Sequence, residues 1–147
     1  MRKVFLTIAL LAVAVIPALA LASADVMSPV VSAKLTGRTE VPKGDPNGKG
    51  LAVLHLDAKK ATACWDFKGI TGIARPNAAH IHKAPVGKAG PVVVPFGKMY
   101  KAKGCVKAAK KTIVAIETRP NNFYVNIHNA AYPAGAIRGQ LVVGMTG

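Results

Sequence analysis

A chain of 147 residues with a formal net charge of +14 is long enough for one small domain and too short for several. The positive excess, 20 Lys and Arg residues against 6 Asp and Glu residues, favours anionic partners. Hydrolytic and dinucleotide-dependent enzymes are disfavoured, because serine occurs only at positions 23, 28 and 32, away from the histidines, and no phosphate-binding loop motif is present.

The N-terminus has the pattern of a secretory signal peptide. Two basic residues precede an apolar run from Val4 to Ile16, and small residues follow it. This pattern predicts a signal peptide over residues 1–24, cleaved after Ala22 or Ala24. The run is shorter than the about 20 residues that span a bilayer, so no transmembrane segment is expected after cleavage. We therefore expect a secreted or periplasmic protein with one domain over residues 25–147.

Short apolar and alternating stretches predict about seven strands. In chain order they are Val30–Leu35, Leu51–Leu56, Ala61–Phe67, Ala79–His82, Pro91–Phe96, Phe123–His128 and Ile137–Val143. Alternation in the second strand places His55 on the outer face. Gly69–Asn77 is predicted to be a loop, and Lys110–Thr118 a helix that stops before Pro120. The pattern predicts an all-β fold, an antiparallel β-sandwich of immunoglobulin-like or superoxide-dismutase-like Greek-key type with at most one short helix.

The two cysteines, Cys64 and Cys105, allow one intramolecular pairing. Export to an oxidising compartment favours a disulfide between them, and two buried thiols are the alternative. A cysteine metal site is disfavoured, because neither cysteine has a second one at the spacing of a C-x-x-C motif.

Three of the four histidines, His80, His82 and His128, lie in strand-like stretches. Alternate side chains of a strand share a face, so His80 and His82 point the same way, and His128 joins them if its strand is adjacent. One interpretation is that the imidazoles scaffold the surrounding loops by hydrogen bonds to the backbone. The alternative is a copper or zinc site with nitrogen ligands. We take scaffolding as the first interpretation and metal binding as the second.

Four motifs in order resemble the chordin-type CHRD domain. They are Leu35–Gly37 with Glu40–Pro42, Ala79–His82 leading into Gly90–Val92, Tyr124–His128, and Tyr132–Leu141. The resemblance implies a secreted all-β domain, as in chordin, which antagonises growth factors, and in bacterial exported proteins. It implies no reaction. The His80-x-His82 pair also resembles the copper-binding strand of copper-zinc superoxide dismutases, over a few residues only.

Arg138 is expected to have a fixed acidic partner, because acids are rare in this chain. Glu40 is the candidate, and a bidentate ion pair between the two side chains would tie the first loop to the last strand.

The densest positive stretch contains no acid. Its members are Lys98, Lys101, Lys103, Lys107, Lys110 and Lys111, here called the lysine surface. It would attract an anionic envelope polymer or a lipid surface, whereas nucleic acid is disfavoured because Tyr100 is the only ring available for stacking there. We therefore expect a non-enzymatic binding or structural module of the cell envelope or extracellular space, with metal binding as the alternative.

Overall fold

The structure, which is a computed structural model, describes residues 30–144. This part of the chain contains nine strands, one α-helix and two short 3₁₀ helices, Gly37–Thr39 and Pro120–Asn122. The strands are β1 (Val30–Thr36), β2 (Lys49–Asp57), β3 (Thr62–Thr71), β4 (Pro76–Lys83), β5 (Val92–Pro95), β6 (Lys103–Lys107), β7 (Phe123–Asn129), β8 (Ile137–Gln140) and β9 (Val142–Val143). Helix α1 covers Lys110–Thr118, as predicted. The predicted signal peptide lies outside the described residues.

All strand pairs are antiparallel and belong to one sheet. The strand order is β5-β4-β7-β8-β1-β2-β3-β6, and β9 pairs with β1. The predicted all-β antiparallel class is therefore confirmed. Because β4, β7 and β8 are neighbours in this order, the two histidine-bearing stretches lie side by side.

The segment between β5 and β6, residues 96–102, closes the sheet. The backbone N–H of Tyr100 donates to the carbonyl of Asn77 in β4, at 2.9 Å. Further along, the carbonyl of Ala102 accepts from the N–H of Phe67 in β3, at 2.8 Å. These two strands stand near opposite ends of the strand order. This closing segment therefore joins the ends of the sheet, which is nearly closed.

The core lies inside the curved sheet. The Phe96 ring of the closing segment stacks on Trp65, with ring centroids 4.6 Å apart. Helix α1 adds Ile113 and Ile116, both fully buried. Each large apolar side chain that is buried fully contributes about 1.5–3 kcal/mol of transfer free energy. On the opposite face of β2, His55 is exposed, as the alternation predicts.

Three differences from the predicted strands are larger than a shift of one or two residues at a strand end. Strand β6 was missed, because lysine and glycine are poor strand formers and its pairing with β3 stabilises the extended conformation instead. The loop predicted at Gly69–Asn77 is shorter, since β3 continues to Thr71 and β4 begins at Pro76. The predicted last strand is split at Leu141 into β8 and β9.

The described part of the chain was also searched for membrane-spanning helices. Within residues 30–144, no helix combines the length and the apolar character that crossing a bilayer requires.

Candidate metal centre

A row of polar side chains covers the outer face of β4, β7 and β8. The register places His80 opposite Asn126, which in turn lies opposite Arg138. One step along, His82 lies opposite Tyr124. The intervening residues of these strands face the core, so strand alternation alone gathers the polar residues on one side. The histidine cluster predicted from the sequence is therefore formed.

Loops cover this polar face and remove it from solvent. His82, Asn126 and Arg138 are 8%, 1% and 1% exposed, although they lie on the outer side of the sheet. The loop after β4 contributes carbonyl oxygens to the face, and the loop between β7 and β8 contributes another. A buried polar side chain requires hydrogen-bond partners, and these carbonyls supply them.

The three imidazoles converge on one point. Each of His80, His82 and His128 offers a ring nitrogen within 4.8 Å of the nitrogens offered by the other two. The shortest separation joins Nδ1 of His80 to Nε2 of His128, at 3.1 Å. A tetrahedral ion with bonds of about 2.0–2.1 Å separates its ligand atoms by about 3.4 Å. To bind one ion, the nitrogens that are farthest apart would therefore have to move closer together than they are in this structure.

Backbone carbonyls determine which nitrogens remain available. Nδ1 of His82 donates to the carbonyl of Gly90 at 2.8 Å, and Nδ1 of His128 donates to that of Pro133 at 3.0 Å. A neutral imidazole carries one N–H, so Nε2 of both rings keeps its lone pair. Nε2 of His82 is buried and has no hydrogen-bond partner. The two rings therefore have the tautomer and orientation of metal-ligating histidines.

These contacts bear on both interpretations of the histidines. The carbonyl bonds that scaffolding requires are present, at Gly90 and Pro133. Metal-ligating histidines also donate their second ring nitrogen to a carbonyl or a carboxylate, so the same bonds suit a metal site. Scaffolding leaves the buried Nε2 of His82 without a partner, and a bound cation would provide one.

Burial keeps the three imidazoles uncharged near neutral pH. Desolvation, aided by the nearby His128 and His82, lowers the pKa of His80 to about 4. Desolvation also lowers the pKa of His82, and the hydrogen bond from this ring to the carbonyl of Gly90 partly offsets that decrease. The pKa of His128 is likewise lowered by burial. Neutral imidazole is the form that binds a metal ion.

Asn126 occupies the centre of the polar face. Its Oδ1 lies 2.9 Å from Nε2 of His128. Its polar side chain also favours the charged forms of the neighbouring Glu40 and His82. The Asn126 amide can present its nitrogen to the lone pair of His128 or its oxygen to a bound cation.

Arg138 holds the loop after β4 against the sheet. Its guanidinium donates to the carbonyls of Lys88 and Pro85, at 2.8 and 3.2 Å. Its central carbon lies 3.3 Å from the centroid of the Tyr124 ring, which is a cation–π arrangement. The other neighbour of Tyr124 is His82, whose ring is stacked on it at 4.7 Å. Arg138 therefore fixes the loop that orients His82.

The predicted bidentate ion pair between Glu40 and Arg138 is not formed among the described residues. Arg138 uses its donors on loop carbonyls, while Oε1 of Glu40 accepts from the N–H of Val41 at 3.0 Å. Burial raises the pKa of Glu40, and the positive charge of Arg138 opposes part of that rise. The two groups thus interact through space rather than by direct contact. A fork-shaped donor can satisfy two carbonyls as readily as one carboxylate, which is the physical reason for the difference.

The cysteines form the predicted disulfide. Cys64 of β3 and Cys105 of β6 are directly paired in the strand register and are bonded to each other. Cys105 is exposed, and β3 and β6 stand at the other end of the strand order from β4. The disulfide therefore secures an edge strand and takes no part in the site.

All six residues of the lysine surface are exposed. Lys103 pairs with Asp66 at 3.0 Å, and Lys107 donates to the carbonyl of Lys60. No other member of the surface forms an ion pair within residues 30–144.

Sequence analysis did not assign Tyr124 and Asn126 to the site. Both lie at even positions of β7, like His128, so they share its face. The period-2 alternation that grouped His80 with His82 would have grouped these residues as well.

Comparison with known proteins identifies a family. The model of the CHRD domain matches residues 31–141, which include every residue of the histidine cluster. A search of curated proteins and a search of solved structures each found no match.

Proposed function

Since this chain belongs to the CHRD domain family, we propose that it is an exported module that binds one copper or zinc ion through His80, His82 and His128. The observation that carries the proposal is the convergence of three ring nitrogens within 4.8 Å, with Nε2 of His82 buried and without a partner. All-imidazole ligation suits both ions.

Further features of the cluster support reversible binding. His80 and His128 are partly exposed, which leaves a path for an ion to reach the buried His82. Three protein ligands leave a fourth position for water or another small ligand. Without an ion, Nδ1 of His80 donates to Nε2 of His128, and ligation through Nδ1 would require that proton to move to Nε2 of the same ring.

The export part of the proposal rests on the N-terminal pattern of residues 1–24 and on the disulfide. Disulfides persist in oxidising compartments. We therefore propose a periplasmic or extracellular location for the bound ion.

Removing any one of the three histidines is expected to weaken metal binding by at least 100-fold. Loss of an outer-shell partner alone typically costs about 10–100-fold, and loss of a ligand should cost more. Untagged protein would be stripped with chelator and titrated calorimetrically with Zn²⁺ and with Cu²⁺, and bound metal would be counted by elemental analysis. The variants are His80→Ala, His82→Ala and His128→Ala.

His55→Ala is the matched control, because it removes the fourth histidine from an exposed position on β2. The wild type and this control should each bind one ion with similar affinity. Circular dichroism would verify that every variant is folded. Equal uptake by all five proteins, or a loss in His55→Ala as large as in the other variants, would refute the metal site.

The lysine surface supports a second role, contact with an anionic envelope polymer or lipid surface. Its six side chains are exposed, and one of them is neutralised by a carboxylate within the described residues. Binding to anionic vesicles is expected to weaken steeply between low and physiological salt, since exposed charges are screened. Sedimentation with anionic and with neutral vesicles would measure this. Binding that does not depend on salt or on vesicle charge would reject the role.

A further inference from the structure

An open groove runs along the outer face of β1 and β2, apart from the histidine cluster. It has a volume of about 660 Å³, within the range of about 300–1,000 Å³ typical of small-molecule sites. Five apolar side chains form most of its floor and wall, with the polar Ser32, His55 and Gln140 among them: Val30, Leu51, Val53, Val142 and Val143. Val142 and Val143 are 53% and 67% exposed. The groove is therefore an apolar surface that nothing covers within residues 30–144.

One end of the groove is strongly positive. Lys34 and Lys68 line it, because the register pairs Lys34 with Leu51 and Leu51 with Lys68. An adjoining depression shares these two lysines and adds Lys49. Neither depression has an acidic residue in its lining. None of the three lysines forms an ion pair with another described residue.

We propose that this groove binds a long-chain carboxylate, with its hydrocarbon chain along the valine floor and its carboxylate at Lys34, Lys49 and Lys68. Such a ligand has an apolar body and one anionic end. These match the apolar floor and the positive end of the groove. The lysine surface around β6 offers charge without a comparable apolar floor, so it does not fit this ligand. The inference is independent of the metal site, since it uses none of the three clustered histidines.

The test is a fluorescence titration of the full exported chain with a fluorescent long-chain fatty acid, followed by displacement with unlabelled ligands. A long-chain carboxylate should displace the probe at one site per chain. The alcohol of the same chain length and a short-chain carboxylate should each do so at least about 10-fold less well, because each lacks one of the two features. A charge-assisted hydrogen bond contributes about 1.5–3 kcal/mol, which corresponds to about 10–100-fold.

Two groove variants probe the two parts separately. Lys34→Glu/Lys68→Glu should weaken carboxylate binding at least about 10-fold and abolish the preference over the alcohol. Val53→Asp should weaken both ligands, because it places a charge on the apolar floor. Lys101→Glu/Lys107→Glu makes the same charge change on the lysine surface and should alter binding less than about 2-fold.

Several results would overturn the inference. If the wild type bound the carboxylate and the alcohol equally well, the lysines would have no role in binding. If Lys101→Glu/Lys107→Glu weakened carboxylate binding as much as Lys34→Glu/Lys68→Glu, the effect would be one of net charge. A concentration-dependent dimer that Val53→Asp dissociates would identify a second copy of the chain as the occupant. Binding that appears only after residues 25–29 or 145–147 are deleted would assign the groove to the chain's own termini.

Discussion

Reduction of the Cys64–Cys105 disulfide is expected to lower the free energy of unfolding by about 4 kcal/mol. The bond closes a loop with a sequence separation of 41 residues. A closed loop of this length restricts the unfolded chain, and restoring that freedom stabilises the unfolded state. For a domain of this size, such a change lowers the melting temperature by about 15 °C.

Urea denaturation with and without reductant would measure this effect. The double variant Cys64→Ala/Cys105→Ala should have the stability of the reduced wild type and should not respond to reductant. Hydrogen exchange should accelerate first in β6, because that strand pairs only with β3. A stability change below about 1 kcal/mol on reduction would contradict the expectation.

Acidification from pH 7 to pH 4 is expected to cost about 1–2 kcal/mol of stability in metal-free protein, because solvent screens the partly exposed His80 and reduces the effect of its lowered pKa. The pKa of His80 is about 4 in the folded state and 6.5 in its ordinary state. Between these values the unfolded chain binds more protons than the folded chain, so stability falls as the pH decreases through that window. Well above pH 6.5 the imidazole is neutral in both states, and the full stability is present.

Other groups of the site modify this dependence. His82 and His128 also have lowered pKa values, so they act in the same direction as His80. Glu40 acts in the opposite direction, because its pKa is raised in the folded state and its contribution is lost as the pH rises. The three histidines therefore act together to lower stability as the pH falls below about 6.5, and they outnumber the single opposing carboxyl group.

Urea midpoints measured in chelator at pH 7, 6, 5 and 4 would test this dependence. His80→Gln removes a titrating group, so the slope of stability against pH should decrease by the equivalent of up to one bound proton. His55→Gln should leave this slope unchanged. A stability that is constant between pH 6.5 and pH 4, or equal slopes for the wild type and His80→Gln, would contradict the expectation.

The sheet and the histidine cluster could be predicted because strand alternation is a local property of the sequence. It placed His80 and His82 on one face, and it placed His55 on the outside of β2. The carbonyls of Gly90 and Pro133 could not be assigned in this way. Their orientation depends on how loops fold over a sheet that forms from distant parts of the chain.

Two other differences between the prediction and the structure also arise from contacts between distant parts of the chain. Strand β6 was missed because Lys103 and Lys107 suggest a solvated loop, and only the pairing with β3 makes the segment a strand. The expected contact between Glu40 and Arg138 followed from the scarcity of acids. Composition does not show that the guanidinium of Arg138 donates its hydrogen bonds to backbone carbonyls instead.

The two end strands of the sheet have a consequence for aggregation. An open sheet edge can template pairing with another chain, and natural proteins shorten such edges or place proline and lysine on them. Here β5 has 4 residues and ends at Pro95, while β6 has 5 residues and carries Lys103 and Lys107 on its outer face. Between them, the closing segment (residues 96–102) occupies backbone groups of β3 and β4. This arrangement is expected to disfavour pairing of the sheet edges with a second chain.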